Sequence, residues 1–125
     1  MAWRWVGIGS VLTLHDMQIA EYGGLAGVRD MGAIESAIAR PQHLAAYGSP
    51  DVAELAAAYA FGIAKNHGFV DGNKRTAWGT ANIFIEKNRC NMRPKQTDIV
   101  VMMEGIANGR ISDADFAAWL RKILA

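Results

Sequence analysis

Apolar residues recur along this chain at the three- and four-residue spacing of an α-helix, while alternating strand patterns are nearly absent. The spacing predicts six amphipathic helices, whose apolar stripes are, in chain order, Leu12/His15/Ile19/Tyr22, Ile34/Ala37/Ile38, Val52/Leu55/Ala56/Tyr59/Ile63, Ala77/Ala81/Phe84/Ile85, Ile99/Met102/Met103/Ile106 and Phe116/Trp119/Leu120/Ile123. We therefore expect an all-α fold in which residues 1–125 form a single domain around a central helical hairpin. Residues 3–6 are the one segment that could be extended.

Capping and breaking residues predict where these helices start and end. Glycine ends helices, proline cannot continue them, and Ser, Thr or Asp caps their first turn. The predicted signals are Gly23-Gly24 at the end of the first helix, Pro41 after the second, Ser49-Pro50-Asp51 before the third, Asn66 at its end, Asn73 and Asn88 around the fourth, Thr97-Asp98 before the fifth, and Ser112 with Asp115 at the sixth. The third and fourth helices then flank a short loop.

That loop and the first turn after it carry an unusual mixture of polar residues. Residues 67–75 read His-Gly-Phe-Val-Asp-Gly-Asn-Lys-Arg. A helix N-terminus presents free N–H groups and a partial positive charge. Gly72 lets the loop wrap its amides around an anion, and Asn73, Lys74 and Arg75 add side-chain donors. The pattern predicts a phosphate-binding site.

Two residues of the same stretch add chemistry to the anion site. Asp71 is a hard oxygen ligand, suited to a Mg²⁺ that bridges phosphate oxygens. His67 can take a proton from an incoming hydroxyl, since histidine is the side chain that titrates near neutrality. Phe69 is expected to fix the loop to the core. Base, metal ligand and anion cradle together indicate phosphoryl or nucleotidyl transfer from a nucleoside triphosphate.

Composition narrows the class of protein. Half of the chain is apolar (51%), enough for a packed core, and the net charge of +1 argues against a general binder of nucleic acids or membrane surfaces. The single cysteine, Cys90, favours a reducing compartment, so we expect the cytoplasm. Arg4 and the apolar run after it resemble a short signal peptide, but no small-x-small cleavage site follows. No run reaches the ~18 apolar residues that a membrane span requires.

The stretch resembles the signature of the Fic/Doc superfamily, His-x-Phe-x-(Asp/Glu)-(Gly/Ala)-Asn-(Gly/Lys)-Arg, with the same spacing throughout. The Doc branch is the more similar one, because Lys74 stands where AMP-transferring Fic enzymes carry glycine. The resemblance covers nearly the whole chain and implies a compact six-helix bundle of the Fic/Doc type. Further similar segments are His15-Asp16, Tyr22-Gly23-Gly24, Gly27, Ile34-Glu35-Ser36-Ala37, Arg40-Pro41 and Thr76-Ala77.

The resemblance implies a death-on-curing toxin of a toxin–antitoxin pair. Such a toxin would use ATP and Mg²⁺ to phosphorylate a protein hydroxyl, expected to be a threonine of elongation factor Tu, and so arrest translation. By position, the resemblance implies His67 as the base, Asp71 as the metal ligand, and Gly72, Asn73, Lys74 and Arg75 as the residues that bind the nucleotide phosphates. A cognate antitoxin, with a disordered C-terminal tail that folds on the toxin, is the implied partner.

Two other functions stay open. The first is transfer of AMP, as most Fic relatives perform, and the second is a catalytically silent module that binds a nucleotide or a partner. AMP-transferring relatives usually carry a second arginine eleven residues after the histidine, where this chain has Trp78. An indole cannot replace a bidentate phosphate clamp, and Lys74 is bulkier than glycine, so both departures favour phosphate transfer.

Several candidate residues also have a purely structural interpretation. Asp71 could cap the fourth helix. Lys74 and Arg75 could form a solvated first turn, although cations there oppose the helix dipole. His15 lies on an apolar stripe and is expected to be a core or subsurface residue. Lys65 is a cation close enough in sequence to contact phosphate or substrate.

Restraint of the activity is expected to come from outside the chain. Many Fic proteins carry an inhibitory helix with a (Ser/Thr)-x-x-x-Glu-(Gly/Asn) motif, but no Ser or Thr here is followed four residues later by glutamate. We therefore expect an antitoxin tail to fold as a helix on an apolar groove beside the motif.

Overall fold

The computed structural model describes residues 2–125, and these form six α-helices without any strand. The helices are α1 (Ile8–Tyr22), α2 (Met31–Tyr47), α3 (Val52–Asn66), α4 (Asn73–Lys87), α5 (Gln96–Ala107) and α6 (Asp113–Ile123). Each helix contributes buried apolar side chains to a shared core. The predicted all-α bundle of six helices is confirmed. Within residues 2–125, no helix is both long and apolar enough to cross a membrane.

Helix α3 lies at the centre of the bundle. Ten of its residues are buried, and it contacts α2, α4, α5 and α6. Its alanines and Gly62 have small side chains, which let neighbouring helices approach closely. A Cβ added at Gly62 would lie 3.1 Å from the Cβ of Ala37 in α2. A helix that is apolar on nearly all sides belongs in the middle of a core. The α3–α4 pair is the predicted hairpin, and its connection is the loop of residues 67–72.

Residues 2–7 before α1 are not helical, and Tyr59 of α3 fixes Val6 of this segment to the core. The hydroxyl of Tyr59 accepts a hydrogen bond from the Val6 amide (3.0 Å) and donates one to the Val6 carbonyl (3.2 Å). Burial raises the pKa of Tyr59, so its hydroxyl keeps the proton that it donates. Trp3 and Trp5 pack against the Phe84 ring. Residues 3–6 therefore run as a packed arm and pair with no strand.

Helix α2 corrects the prediction that Pro41 ends the second helix. The helix continues through Pro41 to Tyr47. Proline inside a helix removes one backbone hydrogen bond and costs about 3 kcal/mol. Pro41 is buried, and α2 packs along α3, so tertiary burial offsets this local cost.

Two predicted helix starts also need correction. Asp51, not Ser49, is the N-cap of α3, and Pro50 lies before the cap rather than in the first turn. Asp51 forms a reciprocal capping box with Glu54. Helix α5 begins at Gln96, so Thr97-Asp98 lies inside its first turn, where the negative charge of aspartate still favours the helix dipole.

The other boundary signals are confirmed. Gly23 ends α1 with a positive φ of 82° and donates its N–H to the carbonyl of Ile19. Helix α4 begins at Asn73 and has Asn88 as its C-cap. Ser112 caps α6, with its side chain accepting from the amide of Asp115.

The cap of α3 leads to a stability prediction. Asp51 also accepts two hydrogen bonds from the guanidinium of Arg121, at 2.7 and 3.3 Å. Asp51→Ala should therefore lower the free energy of unfolding by about 1–2 kcal/mol, as loss of a cap does. Asp51→Asn keeps a capping oxygen and loses only the charge pairing, so it should cost less, about 1 kcal/mol at most. Urea denaturation of both variants measures the difference.

The pH dependence of that difference tests its origin. The hydrogen bond from Arg121 lowers the pKa of Asp51 in the folded protein. A group with a lowered folded pKa stabilises the fold above its unfolded pKa, about 3.9 for aspartate, and stops doing so as the pH falls through the folded value. The gap between wild type and Asp51→Asn should therefore shrink in acid. If the stability difference between wild type and Asp51→Asn stayed constant below pH ~3.9, the ion-pair explanation would be contradicted.

Candidate active site

The loop between α3 and α4 turns sharply at both of its ends. His67 is the C-cap of α3 and adopts the left-handed conformation, with φ 50° and ψ 45°. Few residues other than glycine adopt it, and such strained positions concentrate at functional sites. Gly72 precedes α4 and is left-handed as well, with φ 77° and ψ 19°. The loop thus leads directly from the motif histidine to the N-terminus of α4.

Phe69 and Asn73 fix the middle of the loop. The Phe69 side chain is buried and is only 1% exposed, so its predicted role as the anchor of the loop is confirmed. The Asn73 side-chain amide donates to the carbonyl of Phe69 and accepts from its N–H, both at 3.0 Å. The structure therefore uses the Asn73 amide to brace the loop, and its predicted contact with phosphate stays a prediction.

The segment between α1 and α2 pairs with the outside of the loop. The amides of Arg29 and Asp30 donate to the carbonyl of Gly68 at 2.8 and 3.0 Å. The amide of Val70 donates to the carbonyl of Gly27 at 3.1 Å. These bonds form the bridge of Val28 with Phe69 and hold the loop from a second side.

The Asp71 carboxylate is held by two backbone amides. Its Oδ2 accepts from Leu25 (3.1 Å) and its Oδ1 from Gly72 (2.9 Å). These two bonds, followed by the charge of Arg75, lower the pKa of Asp71, so the carboxylate stays ionised in mild acid. The side chain does not bond to the first turn of α4, where Gly72 is the N-cap. The interpretation of Asp71 as a helix cap is therefore wrong.

The N-terminus of α4 has free donors. No side chain caps it, and the backbone N–H groups of residues 73–75 have no acceptor among residues 2–125. An open helix start of this kind binds anions through its amides and its dipole. Lys74 and Arg75 add two positive charges at the same end. The predicted phosphate cradle thus has an observed donor set.

The cations of the first turn have neighbours of their own. Lys74 forms an ion pair with Glu104 of α5. The Arg75 guanidinium lies over the Tyr22 ring of α1, 4.5 Å from its centroid. Tyr22, predicted on the apolar stripe of α1, is 59% exposed and so lies at the surface rather than in the core. The solvated-turn interpretation is therefore incomplete, because both cations are oriented by contacts.

The start of α4, with its two cations, opens onto one cleft together with His67 and Asp71. The cleft has a volume of about 790 Å³, within the usual size of ligand sites. It is lined by the motif residues 67 and 70–75 and by parts of α1, α4 and α5. Trp78 lines the same cleft and packs against Trp119, with ring centroids 5.8 Å apart. Lys65 is not among the lining residues and lies over the Phe61 ring instead.

A divalent cation would need oxygen ligands beyond the protein. Asp71 supplies a charged carboxylate, but residues 2–125 contain no cluster of three potential metal-ligating side chains. This donor set fits Mg²⁺, which usually keeps several waters and takes its other ligands from nucleotide phosphates.

Sequence reasoning missed one acidic residue of the cleft. Glu104 is followed by Gly105, as in the last two positions of the inhibitory motif of Fic proteins, but Val100 stands at the position for Ser or Thr. Because the motif requires a hydroxyl residue at that position, the sequence pattern does not identify Glu104. The structure brings Glu104 to Lys74 from a helix 30 residues away in sequence.

The family model described as Fic/DOC matches residues 5–85, most of the chain and all of the motif. The chain belongs to the Fic/Doc family. It is 38% identical over 116 residues to "Protein kinase doc" of Escherichia phage P1, which covers 90% of both chains. It is also 46% identical over 70 residues to "Toxin Doc" of Mycolicibacterium smegmatis, covering 54% of this chain and 53% of that protein. The predicted Doc-like branch is confirmed.

The family model matches the elements that build most of the cleft. The matched region runs from the N-terminal arm to the end of α4 and so contains the loop, the α4 N-terminus and the α1 residues beneath them. Helix α5, which carries Glu104, lies outside it. The loop, His67 and the start of α4 therefore belong to the part of this chain that the family model covers, and Glu104 does not.

Proposed function

We propose that this Doc-like protein is a toxin that transfers the terminal phosphate of ATP to a hydroxyl of a target protein, a threonine of elongation factor Tu. The observation that carries the proposal is the open N-terminus of α4, which faces the same cleft as His67, Asp71 and the two cations. The likeness to a relative named a protein kinase supports the choice of reaction.

The motif residues that line the cleft have distinct roles in this transfer. The free amides of residues 73–75 and the side chains of Lys74 and Arg75 hold the phosphates and stabilise charge that develops in the transition state. His67 takes the proton of the target hydroxyl. The hydroxyl oxygen bonds to the terminal phosphorus, the bond from that phosphorus to the bridging oxygen breaks, and ADP leaves.

Asp71 is the residue that would hold Mg²⁺. When bound, the ion neutralises phosphate charge and orients the triphosphate. The carboxylate is already ionised and pointed by the amides of Leu25 and Gly72, so binding requires no loss of a proton. Because Asp71 is the single carboxylate of the loop, Mg²⁺ should bind much more tightly in the presence of ATP than alone.

The walls of the cleft favour phosphate transfer over AMP transfer. Trp78 is packed on Trp119, so an apolar ring stands where a second phosphate-binding arginine would be needed. Lys74 supplies a charged amine close to the helix start. AMP transfer would need the triphosphate held in the opposite sense, with its terminal phosphates clamped away from His67.

A lysate experiment separates an enzyme from a silent binding module. Purified protein, Mg²⁺ and ATP labelled in its terminal phosphate should label a bacterial protein of the size of elongation factor Tu. The matched control is the His67→Ala variant, which should bind nucleotide without labelling. Absence of labelling by ATP labelled at either the terminal or the α phosphate would favour the silent module.

Restraint of this activity is proposed to come from a cognate antitoxin. The Lys74–Glu104 ion pair cannot act as a strong internal brake, because its side chains are 46% and 52% exposed and such pairs contribute about 1 kcal/mol at most. Val70 and Val100 are exposed apolar side chains that line the cleft, and a helical antitoxin tail could cover them.

Expression in bacteria tests this restraint. The chain expressed alone should arrest growth. Co-expression of the antitoxin encoded by the neighbouring gene should restore growth by forming a stable complex with the chain. Formation of that complex should show a negative heat-capacity change, since apolar surface is buried. Harmless expression of the unmutated chain, with activity confirmed in vitro, would show that the restraint lies elsewhere.

A further inference from the structure

His15 of α1 is a buried polar residue directly beneath the motif loop. Its side chain is only 2% exposed. The imidazole ring stacks on the Phe69 ring, with centroids 3.8 Å apart and an interplanar angle of 8°. Its Nε2 lies 2.7 Å from the backbone carbonyl oxygen of Asp71. The expectation of a core histidine is thus confirmed, and the hydrogen bond to the loop adds to it.

We infer that His15 is a positioning residue, which orients the Asp71–Gly72 peptide so that the Asp71 carboxylate and the start of α4 face the cleft. The inference deepens the proposed function and rests on it for its kinetic consequence. Its structural content, the orientation of one peptide group, is independent of any activity.

The direction of the hydrogen bond follows from the chemistry of its two atoms. A carbonyl oxygen can only accept, so Nε2 of His15 must carry the proton and donate. The other ring nitrogen, Nδ1, is 4.0 Å from Asp16, too far for a hydrogen bond. The bond to Asp71 therefore fixes the tautomer of a buried ring.

One donor is enough to orient the whole peptide group. The carbonyl and the N–H of a trans peptide point in opposite directions. With the Asp71 carbonyl directed at His15, the Gly72 N–H points away from α1 and donates to Oδ1 of the Asp71 side chain. The same carboxylate is held at Oδ2 by Leu25. The imidazole, the peptide and the carboxylate thus form a continuous chain of hydrogen bonds.

Gly72 makes this control necessary. Its left-handed φ of 77° is a conformation from which a glycine peptide can rotate at little steric cost. The side chains of α1 lie close to Gly72, since a Cβ added there would be 3.3 Å from Ile19 and 3.6 Å from Nε2 of His15. Without the donor, the Asp71 carbonyl loses its buried partner, and rotation of the peptide would turn the Gly72 N–H away from Oδ1.

Substitution by amides of two lengths isolates the hydrogen bond. His15→Gln places an N–H₂ donor as many bonds from Cα as Nε2, whereas the donor of His15→Asn is one bond short. Both remove the ring from Phe69 equally. We expect His15→Asn to raise the KM for Mg²⁺·ATP roughly 10- to 100-fold, as loss of a partner that orients a metal ligand does, with a smaller change in kcat. His15→Gln should recover most of that loss.

Nuclear magnetic resonance tests the orientation of the Asp71–Gly72 peptide independently of any activity. In the wild-type protein the His15 imidazole should be the Nε2–H tautomer with a slowly exchanging proton, and the Gly72 and Leu25 amide shifts should move in His15→Asn but not in His15→Gln. An Nδ1–H tautomer in wild type, or equal KM values and equal amide shifts in two folded variants, would overturn the inference. If either variant fails to fold, the wild-type tautomer still decides. Wild-type protein with the Nε2–H tautomer and no transfer activity would instead defeat the proposed function and leave the positioning role intact.

Discussion

His67→Ala should abolish target modification and growth arrest while leaving the fold unchanged. His67 is the one histidine that lines the cleft within residues 2–125, and it is exposed there at the end of α3. Removal of a general base typically lowers the rate by ~10²–10⁴-fold. Rates measured with labelled ATP, beside thermal unfolding of the same samples, would separate lost chemistry from lost structure.

The left-handed backbone at His67 requires a matched control. Alanine at a φ of 50° is strained, so His67→Ala could lose stability for reasons unrelated to catalysis. His67→Asn tolerates this conformation and lacks an equivalent base. Folded protein with either substitution that remained equally toxic would show that His67 is not the base.

Asp71→Asn should lower Mg²⁺-dependent activity by about 100-fold or more, since a metal contributes several kcal/mol to transition-state stabilisation. The amide lacks the charge that makes a hard ligand, and its N–H₂ group cannot accept from Leu25 or Gly72 in the way that a carboxylate oxygen does. The loss should be partly recovered at high Mg²⁺. Initial rates over a series of Mg²⁺ concentrations would measure it.

Asp71→Glu is the control for charge. It keeps a carboxylate, which the family signature also allows at this position, but places it one methylene further from the backbone. It should retain more activity than Asp71→Asn, although its contact with Leu25 is disturbed. Full activity of Asp71→Asn at limiting Mg²⁺ would contradict the metal-ligand role.

The fold was predictable where local signals decide it. Gly23 and Ser112 end or begin helices through their own backbone and side-chain chemistry, and the structure agrees with both. Pro41 was misleading because it is buried in a helix that packs along α3, and tertiary packing of this kind is not part of the local signal. Ser49 and Asp51 offered two capping oxygens close together, and the choice of Asp51 is reinforced by Arg121, 70 residues away.

The residues of the motif loop could be predicted from the sequence, but the contacts that orient them could not. The spacing of residues 67–75 placed His67 and the α4 N-terminus together, because the motif spans one short loop. The partners that orient the motif come from other helices. His15 reaches it across 56 positions and Glu104 across 30, and no periodic pattern of one sequence encodes such pairs.

Intact-mass spectrometry of the target distinguishes phosphate transfer from AMP transfer and from the absence of a reaction. Purified elongation factor Tu would be incubated with the protein, ATP and Mg²⁺, with His67→Ala as the matched control, and fragmentation would then locate the modified residue. We expect the added mass of one phosphate on a threonine, absent with the variant. The added mass of AMP would contradict phosphate transfer, and an unchanged mass, with nucleotide bound, would contradict catalysis on this target.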